Sequence, residues 1–275
     1  MTDLPVPLPP DLAAALGQAP SGAFPSRVRY YDEVGSTNDV ADRAAADGAP
    51  AGTAIVAGAQ RAGRGRLGRS WFSPPGAGLY VSVIVRPDRP TSPAAWSGAA
   101  SGFSTLTLVA GVALAEALRT ISGLPVAIKW PNDLVVARRK LCGILAESAA
   151  GGQGLRYVIL GFGINLRTAA YPPELADRAT SLEGELGRPI DRGVVLASTL
   201  ASLDAAFEEA RAGGLGAILG RWRALSPSSV GARVRWNGPA GAMGGITQGI
   251  DDDGALLVDA GGRRERVIAG EVVWE

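Results

Sequence analysis

Apolar residues recur at intervals of three and four from 103 to 121, at Leu106, Val109, Ala110, Ala113, Leu114, Ala117 and Leu118. That spacing predicts an amphipathic helix with a broad core face. Similar patterns predict helices over 36–46, 194–211 and 215–225, and a short one at 11–16. Strands are expected over 27–33, 53–59, 79–86, 126–130, 141–148 and 155–165, where β-branched and aliphatic residues cluster between turn residues. Ser36 precedes the second helix and Asp39 follows three positions later, the spacing of a capping box. Residues 60–77 and 87–93, rich in Gly, Pro, Arg and Ser, read as loops, and Gly151-Gly152-Gln153-Gly154 as a hairpin connection.

The pattern changes after Ser226-Pro227-Ser228-Ser229. Short strands at 233–236, 244–250, 255–258 and 263–268 then alternate with Asn237-Gly238 and Asp253-Gly254 turns. A stretch of this size buries little alone and must dock on a larger body. The expected organisation is a poorly ordered arm over 1–25, a main domain over 26–227 and a small barrel over 228–275. No helix-turn-helix fits ahead of the first strand.

Composition then removes whole classes of chemistry. There is no histidine, so Ser-His and Cys-His nucleophiles and imidazole metal sites are excluded. The single cysteine, Cys142, lies in an apolar run and cannot form an intramolecular disulfide, which fits a reducing cytoplasm. A net charge of +1 provides no overall field for a polyanion, so any basic site is local. No secretory signal is visible, and the most apolar run, 106–118, contains Glu116, so no membrane association is expected. Of 27 basic residues only two are lysines, Lys129 and Lys140, eleven positions apart. Lysine kept twice in one segment of an arginine-rich chain suggests that a compact ammonium is needed there, with chance clustering as the alternative.

The segment Gly63-Arg64-Gly65-Arg66-Leu67-Gly68-Arg69-Ser70 fits three patterns at once. It imitates G-x-G-x-x-G and lies one substitution from a P-loop. Both need a helix beginning at the glycines, which Trp71-Phe72-Ser73-Pro74-Pro75-Gly76 cannot continue. RNA-binding Arg-Gly tracts are normally long and repetitive, and a solvated surface loop is the plainest alternative. The favoured reading is a loop, mobile when empty, whose amides and guanidinium groups fold over a small polyanion.

Five blocks in register now resemble the biotin–protein ligase family. They are Ser36-Thr37-Asn38 at a helix start with Gln60 before the arginine loop; that loop followed by Trp71-Phe72-Ser73-Pro74; Lys129-Trp130-Pro131-Asn132-Asp133-Leu134; Lys140-Leu141-Cys142-Gly143-Ile144-Leu145; and Gly161-Phe162-Gly163-Ile164-Asn165. The resemblance implies an α+β fold: a class II aminoacyl-tRNA synthetase-like core with a mixed β-sheet and helices, followed by an SH3-like β-barrel. It implies a two-step reaction: biotin and MgATP give biotinoyl-5′-AMP and pyrophosphate, and the acyl group passes to a lysine of a biotin carboxyl carrier protein domain. It further implies a monofunctional, cytoplasmic ligase, monomeric or weakly dimeric, without sequence-specific DNA binding. A lipoate or octanoate ligase on the same core is the near alternative. A nucleic-acid-binding module is the distant one, and it predicts a basic excess that the chain lacks.

By the same resemblance, Ser36, Thr37, Asn38 and Gln60 line the biotin ring pocket, with helix capping and loop polarity as the alternatives for Ser36 and Gln60. Arg64, Gly65 and Arg66 belong to the loop that closes over ligand. Lys140 contacts the biotin carboxylate and α-phosphate, and Lys129 serves the phosphate side. Trp71 stacks on adenine unless it is a core residue, Asn165 contacts the adenylate, and Asn132 and Asp133 lie at the nucleotide, with Asp133 a candidate Mg2+ ligand. Lys140, Arg66 and Lys129 are the expected catalytic cations. Gly78 stands where asparagine is frequent, which places a nucleotide contact there in question; Cys142 stands where alanine is common. The chemistry needs no histidine, because a carboxylate attacking a phosphorus is already ionised at neutral pH.

Overall fold

A computed structural model describes residues 4–86, 100–151, 154–168, 171–238, 241–268 and 270–275. Seven strands form one mixed sheet: β1 (Val28–Val34), β2 (Ala54–Gln60), β3 (Gly78–Val85), β4 (Ala127–Lys129), β5 (Asp133–Val136), β6 (Arg139–Gly151) and β7 (Gly154–Asn165). Their order is β1-β2-β3-β7-β6-β5-β4, with β1 and β2 parallel and the other pairs antiparallel. The helices are α1 (Pro10–Gly17), α2 (Ala23–Ser26), α3 (Thr37–Ala46), α4 (Ala100–Ser122), α5 (Pro173–Ala176), α6 (Leu182–Leu186), α7 (Arg192–Glu209) and α8 (Leu215–Leu225). A second, antiparallel sheet holds β8 (Val230–Gly238), β9 (Gly241–Ile250), β10 (Leu256–Asp259), β11 (Arg264–Val267) and β12 (Val272–Trp274), in the order β11-β10-β9-β8-β12. This is the α+β class with the small all-β unit expected at the C-terminal side.

The two-residue period of the strands sorts the large sheet into two faces. Val81 and Val83 of β3, Cys142 and Ile144 of β6, and Val158, Leu160, Phe162 and Ile164 of β7 join α4, α7 and α8 in the larger core. On the opposite face Ile55, Ala57, Ile84, Tyr157 and Ile159 pack against Val40, Ala41 and Ala45 of α3. Ser82, Gly143, Glu147, Gly161 and Gly163 occupy the same alternating positions, so they share the α3 face. The functional site is built there.

Helix α4 supplies the middle of the larger core. Its stretch Thr105–Ser122 is apolar and long enough to span a membrane, yet 72% of it is buried inside the protein. It is the core helix that the three-and-four spacing predicts. The small sheet docks at its N-terminal half. Gly254 (φ +83°) turns so close to α4 that a Cβ there would lie 2.6 Å from Leu108 Cδ1, and the buried Trp130 donates its indole N–H to the Gly254 carbonyl at 3.1 Å.

Several expectations need correction. The N-terminal arm is docked: α1 buries Leu12 fully beside α7, Asp11 pairs with Arg192 at 2.6 Å, and Val6 bridges to Tyr30. The strand expected at 126–130 is cut to three residues by Trp130 and the cis Pro131, and β5 and β12, of four and three residues, went unpredicted because so short a run carries no period. Helix α7 begins two residues early because Asp191 caps it, accepting from the Gly193 and Val194 amides. The loop at 87–93 and the middle of the hairpin, Gly152-Gln153, lie outside the described residues; Gly151 and Gly154 pair as a hairpin requires. Truncating Leu12 to alanine leaves a cavity under α1 and should lower unfolding free energy by about 2–5 kcal/mol, as read by urea denaturation.

Candidate active site

The capping box does not form. Ser36 occupies the N-cap position of α3 but its side chain caps nothing. Instead the Thr37 amide and hydroxyl both donate to Gln60 Oε1, at 2.8 and 3.0 Å, and Asp39 turns to Arg64 at 2.9 Å. A side chain from the end of β2 thus satisfies a helix-terminal amide that Ser36 leaves open. Gln60 is fixed from its other end by donating to Ser73 Oγ at 2.9 Å. Ser82, which a polar position in an apolar strand could have betrayed, donates to Asn38 Oδ1 and lies 2.8 Å from Thr37 Oγ1, and Asn38 donates to Glu147. All four residues of the expected ring pocket therefore meet in one recess.

Glycines make the floor of that recess. Gly143 and Gly163 face each other across β6 and β7, and the Trp71 indole lies on both: a Cβ at Gly163 would be 2.3 Å from Trp71 Nε1, and one at Gly143 2.9 Å from its ring. At Gly161 a Cβ would strike Asn38 Oδ1 at 2.2 Å. The Trp71 indole N–H is buried with no hydrogen-bond partner, a donor that a ligand oxygen can satisfy. With the indole in place the inner recess holds only about 50 Å³, far below the ~300 Å³ of an ordinary small-molecule pocket, so ligand entry requires Trp71 to move. Gly78 is held small by its neighbours, since a Cβ would sit 2.7 Å from the Ile164 carbonyl oxygen.

A second chamber of about 600 Å³ opens beside the first. Gly65, Arg66, Trp71, Asn132 and Lys140 line both, so they form the seam. Lys140 Nζ lies 2.6 Å from Asp133 Oδ1 and 5.2 Å from the Trp71 ring centre. Arg66 donates to Asn132 Oδ1 at 3.1 Å, while Asn132 is itself anchored on the Ile144 carbonyl. Burial pulls the Arg66 pKa below its usual value, with Asp133 opposing; a guanidinium stays charged regardless. Lys129 stands in the outer chamber, 5.9 Å from the Trp274 ring centre. Burial lowers its pKa; Asp133 opposes this, and Arg178, Lys140 and Arg138 add to it. Asn165 uses its amide to hold the Lys140 and Thr180 carbonyls, at 3.3 and 2.9 Å, which fixes the strand that carries Lys140. Burial also raises the Cys142 pKa, leaving an inert thiol.

The arginine loop is not a bare cluster of like charges. Arg61 pairs with Glu33 at 2.9 Å, Arg64 with Asp39 and Glu147 at 2.9 and 2.8 Å, and Arg69 with Glu271, just before β12. These acids come from distant elements, which is why the charge balance is invisible in the loop's own residues. Among the described residues no cluster of three or more metal-binding side chains forms. Asp133, whose buried Oδ1 is paired with Lys140 at 2.6 Å, is the single carboxylate at this seam. It fits an Mg2+ that arrives on a nucleotide and takes its other ligands from phosphates and water.

A polar recess adjoins a cationic chamber, and the charged residues common to both linings are Arg66 and Lys140. The model of the biotin/lipoate A/B protein ligase family matches residues 32–165, and that of the biotin protein ligase C-terminal domain matches residues 230–274. The biotin--[acetyl-CoA-carboxylase] ligase of Mycobacterium tuberculosis is 36% identical over 257 residues, covering 88% of this chain and 86% of its own. The bifunctional ligase/repressor BirA of Bacillus spizizenii is 36% identical over 232 residues, covering 84% and 68%. A structure of Aquifex aeolicus biotin protein ligase in complex with biotin and ATP superposes with a TM-score of 0.76 at 29% identity, over 90% of this chain and 98% of that one. The chain belongs to the biotin protein ligase family.

Proposed function

We infer that this chain is an ATP-dependent biotin–protein ligase. It joins biotin to ATP as biotinoyl-5′-AMP and then transfers biotin to a lysine of a carboxylase's biotin carboxyl carrier domain. The observation that carries the reading is the seam: Lys140 and Arg66 line both chambers at once. A biotin ring on the glycine floor, held by Ser36, Thr37, Asn38 and Gln60, would present its carboxylate at Lys140. ATP in the outer chamber would present its α-phosphate to the same ammonium. Two anions repel each other in water; cations fixed between them remove that repulsion and set the line of attack.

In this reading Arg64, Gly65 and Arg66 close over the ligands, Lys129 serves the phosphates, Asn132 orients Arg66, and Asn165 holds the strand of Lys140. Trp71, moved off Gly143 and Gly163, offers its ring to the adenine and its indole N–H to a ligand oxygen. Asp133 shares the Mg2+ of MgATP. Residues 26–227 form the catalytic domain and 228–275 the small domain. Residues 4–27 form two short helices packed on the core, which supports a reading without a winged helix in that stretch. The buried thiol suits the cytoplasm.

Biotin-dependent exchange of labelled pyrophosphate into ATP, with no carrier present, is the expected activity. Exchange driven by lipoate or octanoate but not by biotin would overturn the assignment.

A further inference from the structure

We propose that Arg138 and Arg178, with Lys129, form the subsite for the two terminal phosphates of ATP and hold the departing pyrophosphate. The proposal rests on the ligase reading above and gives its outer chamber a residue-level division. Six cationic side chains line that chamber against three acidic ones, on a chain whose net charge is +1. Two of the acids are engaged, Asp133 by Lys140 and Glu271 by Arg69, which leaves Asp177. Lys129, Arg138 and Arg178 have no acidic side chain within ion-pair distance among the described residues, whereas Arg139, next in the chain, pairs with Glu185 at 2.7 Å.

Backbone sets all three in place, Lys129 by its pairing with Asp133 at the end of β4. Arg178 is fixed relative to Lys140: the Lys140 amide donates to the Arg178 carbonyl at 2.7 Å and the Thr180 amide to the Lys140 carbonyl at 2.9 Å. Arg138 is the second residue of a two-residue turn between β5 and β6, where Val136 pairs with Arg139. Both turn residues are left-handed, Ala137 at φ +46° and Arg138 at φ +69°. Such a turn favours asparagine and glycine, so alanine and arginine there are strained. The Arg138 guanidinium is steadied by donating to the main-chain oxygen of Glu275 at 3.1 Å. The left-handed turn thus carries a cation on the rim of the chamber, where glycine would suit the backbone better.

The chemistry needs charge at this place. As a biotin carboxylate oxygen bonds to the α-phosphorus, the bond from that phosphorus to its bridging oxygen breaks, and the electron pair leaves with pyrophosphate. The leaving group gains negative charge while Lys140 and Arg66 remain with the adenylate. Three cations with no acidic side-chain partner, lining the outer chamber beyond the seam, complement that gain.

The test uses Arg138→Gly and Arg178→Ala, singly and together, in the full chain. In biotin-dependent exchange, the KM for pyrophosphate should rise about tenfold or more for each change, as for loss of a charge-assisted hydrogen bond. The thermal midpoint of Arg138→Gly should be unchanged or higher, because glycine relieves the left-handed turn. Transfer of biotin from preformed biotinoyl-AMP to the carrier should keep its wild-type rate, since that ligand lacks the terminal phosphates. An unchanged pyrophosphate KM in the double variant, or an equal loss in transfer from preformed adenylate, overturns this assignment alone. Absence of biotin-dependent exchange in the wild type overturns the ligase reading and this assignment with it.

Discussion

Lys140→Ala should slow formation of biotinoyl-adenylate by about 10²- to 10³-fold, the usual loss when one preorganised donor is removed from a developing charge. The expectation follows from where the ammonium sits. It lies at the seam of both chambers, 2.6 Å from Asp133 Oδ1, so its removal withdraws charge from two substrates and leaves a buried carboxylate oxygen unpaired. Lys140→Arg should recover little. Lys140 Nζ would stand 3.2 Å from a Cβ at Gly143 and lies 5.2 Å from the Trp71 ring centre, and a flat fork of five donors is broader than a point charge. Single-turnover adenylate formation measures the step directly. A Lys140→Arg variant at the wild-type rate would mean that the two lysines of this chain are an accident of composition.

The two lysines illustrate how far the chain could be read without coordinates. Their closeness in sequence pointed to one charged region, and both do line the outer chamber. Only the fold separates them, because β4 and β6 lie on either side of β5 and only Lys140 reaches the inner recess as well. Long periodic elements such as α4 and β7 were legible, since burial of one face imposes a period over many residues. Asp39 was misread because its distance from Ser36 suits a capping box, while its true partner, Arg64, arrives from a loop 25 positions later in the chain. Glu147 was missed for a similar reason. On a buried strand a lone glutamate looks like an edge residue until Asn38 and Arg64 are brought to it from α3 and the arginine loop. Long-range pairing of polar groups has no period, so its partners appear only once topology is known.

The same limit governs the last expectation, that residues 61–69 behave as a lid. Repulsion among four guanidinium groups is offset by Glu33, Asp39, Glu147 and Glu271, so the loop is not driven open by its own charge. Its hold is nevertheless weak. The arginine side chains in these pairs are 42–61% exposed, and exposed pairs contribute about 0–1 kcal/mol each and fade with salt. Apolar support is slight: Leu67 is 64% exposed and left-handed at φ +57°. Since Trp71 follows directly on this loop and fills the recess, loop opening and ligand entry should be one motion. Trypsin should therefore cut the free protein at these arginines, faster as salt rises, and biotin with ATP should protect them by adding an anion that the guanidinium groups enclose. Arg66→Gly removes the loop's one cation at the seam together with its hydrogen bond to Asn132. It should release biotinoyl-AMP early, so that lysines of bystander proteins become biotinylated by the free anhydride. Cleavage at equal rates with and without ligands, together with an Arg66→Gly variant that retains its adenylate, would show that water is excluded by some other element.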